Sequence, residues 1–229
     1  MYEAVLFDFD GTLIPSMQFW LDAFKHALGE FGHHLPESSI IERCFYRDSS
    51  QIVAEFQLAA EPPFWPVVHK HLAVSYQSPV LFAGAKDVLE YCAKNKMPMG
   101  LVTSADRVFV QPALELLGID KYFSVVITGD DVVNFKPHPE PVKKALDQLK
   151  LNPAQTLFVG DYVVDVLAGK GAGTQTAVFY TDDHSRFHKL ELLQSAQPDF
   201  IFSDYSDFLA RLIADGASAD HSSVEVSRA

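Results

Sequence analysis

The feature that most constrains the fold is a regular alternation of short apolar runs and amphipathic helical segments from residue 79 onward. A further apolar run lies close to the start of the chain. Alternation of this kind is typical of a parallel sheet with helices on both faces. We therefore predict an α/β fold with strands at residues 4–7, 98–102, 124–128, 156–159, 175–180 and 200–202, and with helices at residues 85–94, 108–117, 140–149, 163–170, 187–195 and 205–214.

Residues 15–78 differ from the rest because their apolar residues recur at three- and four-residue steps, and prolines separate the segments. We predict that these residues form an all-helical module, inserted between the first strand and the second. The α/β core then consists of residues 1–14 and 79–214. Residues 215–229 are rich in Ser, Asp and Ala, and we predict a disordered tail there.

Composition excludes several classes of function. The 229 residues carry a formal net charge of -12, which argues against binding nucleic acid through a basic face. It does not argue against a small phosphorylated molecule, which needs only a local positive pocket. The two cysteines fit a reducing compartment, and we find neither a signal peptide nor a membrane span. We expect a cytoplasmic protein; the sequence gives no indication of its oligomeric state.

Two aspartates follow the first predicted strand. Asp8 and Asp10 lie two residues apart, so an extended chain points both side chains to the same side. Two carboxylates at the end of a buried strand are costly unless they have partners. Gly11 and Thr12 follow, and a glycine here lets the backbone approach a ligand closely. The alternative is a pair of turn residues, with Asp-Gly as the turn.

Polar residues also follow the next three predicted strands. In an open parallel sheet, the carboxyl ends of the strands lie at one edge, where ligands bind at the point at which strand order reverses. Polar loops are common, so each residue alone is weak evidence, whereas their joint placement is strong. The residues are Asp8 and Asp10 after the first strand, Thr103 and Ser104 after the second, Lys136 in the loop after the third, and Asp161 with Asp165 after the fourth.

This set of residues is suited to phosphate chemistry. Asp8, Asp161 and Asp165 crowd negative charge, which requires a cation, and hard carboxylate oxygens favour Mg²⁺. The metal and Lys136 would offset the charge of both the carboxylates and an incoming phosphate. A carboxylate could then attack phosphorus, while a second carboxyl group gives a proton to the leaving oxygen. The Thr103 hydroxyl could bind phosphate oxygens.

Four motifs in the chain resemble those of the haloacid dehalogenase superfamily of hydrolases. They are DFDGT at residues 8–12, LVTS at 101–104, KPHPEP at 136–141 and GDYVVD at 160–165. The resemblance covers nearly the whole chain, up to about residue 214, and it is strongest to the phosphoglycolate phosphatase-like branch. It implies a Rossmann-like core and a helical cap that closes over the site and shapes substrate choice.

The resemblance also implies a role for each motif residue. Asp8 becomes an aspartyl-phosphate, and Asp10 is the general acid and base. Mg²⁺ would be held by the Asp8 carboxylate, the Asp10 backbone carbonyl and Asp161, with Asp165 nearby. The implied phosphate and substrate contacts are Gly11, Thr12, Thr103, Ser104, Lys136 and, from the cap, Arg47.

The predicted function is a Mg²⁺-dependent phosphatase acting on a small phosphorylated metabolite. Dehalogenases of the superfamily lack the second aspartate, so the presence of Asp10 argues against that branch. A sugar-phosphate mutase of the β-phosphoglucomutase type and an inorganic pyrophosphatase remain enzymatic alternatives. A regulatory or binding protein on a hydrolase scaffold is the non-enzymatic one. The alternative for Arg47 is an exposed arginine before a helix.

The chain departs from the usual motif pattern at two positions. Tyr162 stands where a small polar residue is usual, and tyrosine caps a following helix poorly. Phe135 stands before Lys136, where glycine is usual, so the lysine loop is expected to sit differently. Both departures bear on substrate fit more than on mechanism.

Overall fold

The chain divides into two compact units, which we describe one at a time. One unit joins Met1–Pro15 to Val80–Ala229, and the other is Ser16–Pro79. The computed structural model describes residues 2–45, 47, 49–58 and 63–225.

The second unit contains four helices and no strand among its described residues. Helix α1 (Met17–Glu30) packs against both α2 (Glu37–Cys44) and α4 (Phe64–Ser75). Its aromatic residues form part of this packing, since the ring of Phe24 lies 5.9 Å from Phe45 and 6.0 Å from Trp65. The prediction of an all-helical insert is confirmed, with helices α1 (Met17–Glu30), α2 (Glu37–Cys44), α3 (Ser49–Glu55) and α4 (Phe64–Ser75).

The first unit is built on a six-stranded sheet in which every pair of neighbouring strands is parallel. Each strand lies within about a residue of its predicted bounds because a buried apolar run is a strong strand signal. The strands are β1 (Ala4–Phe7), β2 (Met99–Val102), β3 (Val125–Ile127), β4 (Thr156–Gly160), β5 (Gln175–Phe179) and β6 (Phe200–Phe202).

Strand order in the sheet is β3-β2-β1-β4-β5-β6, so the chain reverses its direction of travel on leaving β3. β1 lies at the centre, with Phe7 paired to Leu101 of β2 and to Val159 of β4. The point where strand order reverses therefore falls beside β1, at the loops that follow β1 and β4. Ligands of open parallel sheets bind at such a point.

Helices cover the sheet, as predicted for this fold class. α7 (Glu140–Leu149) packs on β2 and β3, and α8 (Val163–Ala172) packs on β4 and β5. Leu6 joins this side of the core. Neighbouring strand residues point to opposite faces, so Phe7 lies on the other face, where its ring meets Phe123 at 6.4 Å. α5 packs against α10. The helices are α5 (Ala85–Lys94), α6 (Arg107–Leu117), α7 (Glu140–Leu149), α8 (Val163–Ala172), α9 (Leu190–Ser195) and α10 (Tyr205–Glu225).

The segment after β5 differs from the prediction of a helix over residues 187–195. A 3-10 turn spans Asp182–Arg186, and α9 begins only at Leu190. The turn forms because the backbone N–H of Thr181 donates to Nδ1 of His184. This bond closes the chain into a tight loop before the helix starts.

The structure also differs from the predicted tail over residues 215–225, where α10 continues to Glu225. Tyr205, Phe208 and Leu212 are buried and anchor the start of this helix. The Asp215 carboxylate then accepts a hydrogen bond from the Tyr2 backbone N–H at 2.6 Å. The remaining tail residues, 226–229, lie outside the described part of the chain. Among the described helices, none combines the length and the apolar character needed to cross a membrane.

Candidate active site

The loop after β1, residues 8–14, is folded back on itself and packed against the loop after β4. The Asp8 N–H donates to the Val159 carbonyl at 2.8 Å, which extends the pairing of the two strands by one residue. Gly11 has a φ of +75°, and a Cβ there would come within 2.5 Å of Asp161 Oδ2. Only glycine suits both the backbone conformation and the close approach. We call residues 8–14 the nucleophile loop, after the role that the sequence predicts for Asp8.

Three buried carboxylates meet at this edge of the sheet. Asp8, Asp161 and Asp165 each offer an oxygen, and these atoms all lie within 4.8 Å of one another. The Asp165 carboxylate accepts hydrogen bonds from the N–H groups of Asp161 (3.3 Å) and Tyr162 (3.1 Å). Asp165 thus caps the start of α8 by accepting the hydrogen bond of the Tyr162 backbone N–H.

Lys136 reaches into this cluster from the loop after β3. Its Nζ atom lies 2.8 Å from Asp8 Oδ1 and 2.6 Å from Asp165 Oδ1, and it donates to the Val102 carbonyl at 3.3 Å. The lysine side chain is only 3% exposed. Phe135, the unusual residue before it, is about half exposed, so its ring does not prevent the lysine from entering the cluster.

Burial and charge set the protonation of the cluster. Burial raises the pKa of Asp8 to about 7, although Lys136 opposes the shift. Burial, with Asp165 and Asp8 close by, also raises the pKa of Asp161 well above its usual range. Burial alone would lower the pKa of Lys136, but Asp165 and Asp8 raise it above its ordinary value. The lysine is therefore charged, and the surplus of carboxylates calls for a further cation.

The residues present fit a divalent metal ion. Asp161 Oδ2 is buried and has no hydrogen-bond partner among the described residues, which leaves a hard oxygen for an ion to bind. The donors are carboxylates, the ligands that Mg²⁺ prefers. Asp8, Asp161 and Asp165 could hold such an ion.

The other predicted core residues lie at or near the same edge. Thr103 is buried, and its hydroxyl accepts a hydrogen bond from the Ala105 N–H at 3.2 Å, whereas Ser104 is exposed. Asp10 is partly buried and forms a bridge with Ile14 inside the nucleophile loop. The last two, Gly11 and Thr12, are buried.

Arg47, the residue predicted from the cap, belongs to the other unit. Its guanidinium group pairs with Glu55 Oε2, and Arg43 pairs with Glu55 Oε1 at 2.6 Å. The Arg43 guanidinium also lies 4.2 Å from the centre of the Phe56 ring. In this structure, Arg47 is thus part of a local ion cluster of the helical unit.

Three residues near the site were not predicted from the sequence. His184 Nε2 lies 2.7 Å from the Gly11 carbonyl oxygen, Tyr205 OH donates to the Thr12 carbonyl at 2.7 Å, and His188 Nε2 lies 3.6 Å from Asp161 Oδ2. Burial, with His184 nearby, lowers the pKa of His188 to about 3. The sequence offered only a positional signal for the two histidines, which follow the fifth strand at the same edge as the motifs.

This geometry and the four motifs agree with a family model described as haloacid dehalogenase-like hydrolase, which matches residues 5–179. The chain belongs to this family. The match runs from β1 to β5 and includes all four motifs.

Relatives of this hydrolase carry several different names. Pyrophosphatase PpaX of Anoxybacillus flavithermus is 33% identical over 220 residues, covering 92% of this chain and 96% of the relative. A predicted phosphoglycolate phosphatase from Haemophilus somnus is 23% identical, with a TM-score of 0.75 over 92% of this chain and 98% of that one. A candidate β-phosphoglucomutase from Thermotoga maritima is 21% identical, with a TM-score of 0.74 over 94% and 99%. These two likenesses establish the fold.

Proposed function

We propose that this hydrolase is a Mg²⁺-dependent phosphatase that acts on a small phosphorylated metabolite through an aspartyl-phosphate on Asp8. The observation that carries the proposal is the position of Lys136, whose ammonium group bridges Asp8 (2.8 Å) and Asp165 (2.6 Å). A carboxylate beside a buried cation is suited to attack phosphorus, because the cation offsets the repulsion between two anions.

The chemistry takes two steps. In the first, an Asp8 oxygen bonds to phosphorus as the bond from phosphorus to the leaving oxygen breaks, and Asp10 gives that oxygen a proton. In the second, Asp10 takes a proton from water, the water oxygen bonds to phosphorus, and the bond to Asp8 breaks to release phosphate. Asp10 is only partly buried, which suits a residue that exchanges a proton with water.

The remaining core residues bind charge. Lys136 and the Thr103 hydroxyl contact the phosphate oxygens, with Ser104 and the backbone of the nucleophile loop beside them. The carboxylates of Asp8 and Asp161 and the Asp10 carbonyl would hold Mg²⁺, with Asp165 nearby. When bound, the ion supplies positive charge that offsets the carboxylates and the phosphate.

Exchange of the nucleophile tests the proposal. Asp8→Asn keeps the shape of the side chain but removes the attacking oxygen anion, so turnover of p-nitrophenyl phosphate should fall at least about 10³-fold. Asp147→Asn, a matched change at an exposed position on α7, should leave turnover unchanged. Phosphate release is measured with Mg²⁺ and with EDTA. Full activity of Asp8→Asn, or of wild type in EDTA, would contradict the mechanism.

A second candidate, pyrophosphate hydrolysis, is supported by the 33% identical relative named pyrophosphatase PpaX. The same two steps would apply, with phosphate as the leaving group. A panel of pyrophosphate, phosphoglycolate, hexose phosphates and nucleoside monophosphates separates the substrates by kcat/KM. Isomerisation of a hexose phosphate without phosphate release would identify a mutase instead. Failure to turn over any of them, with Mg²⁺ at pH 5 to 9, about the working range of such an acid and base, would favour a binding protein.

A further inference from the structure

Two side chains from the region after β5 donate hydrogen bonds to consecutive carbonyls of the nucleophile loop. Tyr205 OH donates to the Thr12 carbonyl at 2.7 Å, and His184 Nε2 lies at the same distance from the Gly11 carbonyl oxygen. Both side chains are buried. Both also lie beyond residue 179, where the match to the family model ends.

The hydrogen bonds of His184 define which of its nitrogens carries the proton. Its Nδ1 atom accepts from the Thr181 N–H at 3.0 Å, and the Thr181 hydroxyl lies 2.8 Å from the same atom. Burial lowers the pKa of His184, which favours the neutral ring. A neutral ring that accepts at Nδ1 carries its proton on Nε2. His184 is therefore the donor in its bond to Gly11.

A third contact comes from the start of the region that follows the helical insert. The backbone N–H of Phe82 donates to the Leu13 carbonyl at 2.9 Å. The Phe82 ring also stacks on His184, with ring centres 5.8 Å apart, and Phe179 meets the same imidazole edge-on at 5.4 Å. Three consecutive carbonyls of the nucleophile loop, at residues 11 to 13, are thus held from outside the loop.

These bonds lie at and next to Gly11, the position of the loop with the greatest backbone freedom. Gly11 has no side chain and a φ of +75°, so its backbone can rotate more easily than that of its neighbours. Its N–H is held by the Ile14 carbonyl at 2.9 Å, and His184 holds its carbonyl. The two bonds together restrain the turn that begins immediately after Asp10.

We propose that His184 and Tyr205 are positioning residues of this active site, which fix the nucleophile loop and so orient Asp8 and Asp10 toward the substrate. The role rests on the proposed phosphatase function, since it assigns the two residues to that reaction. Neither side chain has to touch the substrate. A small displacement of a reacting group costs turnover, whereas the affinity for the substrate changes little.

Tyr205→Phe removes one hydroxyl and keeps the ring. We expect kcat for p-nitrophenyl phosphate to fall about 5- to 10-fold with KM within about twofold of wild type, because orientation is lost and binding is not. Tyr180→Phe is the matched control, since its hydroxyl donates to the His188 carbonyl at 3.1 Å, away from the nucleophile loop. That variant should keep kcat within about twofold.

His184 offers a pair of variants that differ in the donor. His184→Phe keeps an aromatic ring between Phe82 and Phe179 but cannot donate, and kcat should fall about 10- to 100-fold, as for supporting residues of other catalytic sites. His184→Gln can place an amide N–H near the position of Nε2. We therefore expect His184→Gln to retain most of the wild-type kcat. Equal losses in the phenylalanine and glutamine variants would overturn the assignment of His184 as a donor.

Amide hydrogen exchange tests the same idea without substrate. The N–H groups of Gly11, Leu13 and Ile14 are bonded inside the loop, so they report on its opening. In Tyr205→Phe their exchange should accelerate about 10-fold relative to the amides of β4, and in Tyr180→Phe it should not. Unchanged loop exchange in Tyr205→Phe would overturn the proposal. If wild type releases no phosphate, the proposed function fails, whereas the exchange rates still decide whether these residues hold the loop.

Discussion

The two units contain ion clusters of the same form but of opposite sign. In the α/β unit, one cation, Lys136, lies between two carboxylates, Asp8 and Asp165. In the helical unit, one carboxylate, Glu55, lies between Arg43 and Arg47. The side chains of the first cluster are 3 to 7% exposed, whereas those of the second are 26 to 40% exposed.

Burial gives the two clusters opposite electrostatic behaviour. Burial raises the pKa of Asp8 to about 7 in spite of its bond to Lys136. The bond to Arg43 and the charge of Arg47 lower the pKa of the partly exposed Glu55. In the more exposed cluster, ion pairing has the larger effect on the carboxylate pKa. In the buried cluster, loss of hydration has the larger effect. The buried cluster is therefore the one poised to bind a further charged group.

Among the substitutions that test this comparison, removal of the central cation, Lys136, should have the largest effect. Lys136→Met fills a similar volume but leaves Asp8 and Asp165 without their counter-charge. We expect phosphatase turnover to fall at least about 10³-fold, since the phosphate also loses a cation. Lys143→Met, at an exposed position on α7, is the control and should keep wild-type activity. Activity within tenfold of wild type would show that Lys136 is not needed at the site.

Neutralising one buried carboxylate should stabilise the metal-free protein, and the gain should depend on pH. Because the folded-state pKa values of Asp8 and Asp161 are raised, the native state holds more protons than the unfolded state above pH 4. Stability from these groups falls as pH rises from about 4, through about 7 for Asp8 and through its own raised pKa for Asp161. Asp161→Asn removes one of the charges, so it should gain about 2 kcal/mol, or a Tm about 4 to 8 °C higher, above pH 7 in EDTA.

The measurement has to be the difference between variant and wild type. His184 and His188 have lowered pKa values, so their contribution to stability rises with pH below about 6.5 and opposes that of the carboxylates. Subtraction cancels most of this contribution. The difference in Tm should be small at pH 4 and should grow as pH rises toward the raised pKa of Asp161, and Mg²⁺ should stabilise wild type alone. A difference in Tm that does not change with pH would mean that burial of the charged Asp161 carboxylate does not destabilise the protein.

Much of the fold was predictable from local patterns. The strands are short apolar runs, buried on both faces by helices, and nothing else in the chain looks like them. The shared strand-end position of Asp8, Lys136 and Asp161 follows from the same pattern, since parallel strands end at one edge. Their placement in the structure agrees with this rule, while their catalytic roles stay predictions.

Other features depend on contacts that no local pattern carries. His184 bonds to Gly11 across 173 residues of chain, and Tyr205 bonds to Thr12 across 193. The helix that continues through residue 215 is held in part by a bond to Tyr2, near the other end of the chain. The composition of this segment indicated disorder, because composition carries no information about a hydrogen-bond partner elsewhere in the chain. Sequence rules are strong for buried periodic segments and weak for single long-range bonds.

The exposed cluster provides the smallest expected effect and the sharpest contrast. Glu55→Gln leaves the shape intact and removes the charge between Arg43 and Arg47. Since exposed pairs contribute little and are screened by salt, Tm should fall by no more than about 2 °C in low salt, and by less in about 0.5 M salt.

The lowered pKa of Glu55 means that its contribution is present near neutral pH and is lost as pH falls through that pKa, so the variant and wild type should converge in acid. Thermal unfolding at both salt concentrations measures this. A fall as large as the shift expected for Asp161→Asn would mean that exposure does not separate the two clusters, because a screened pair would then contribute as much as a buried one.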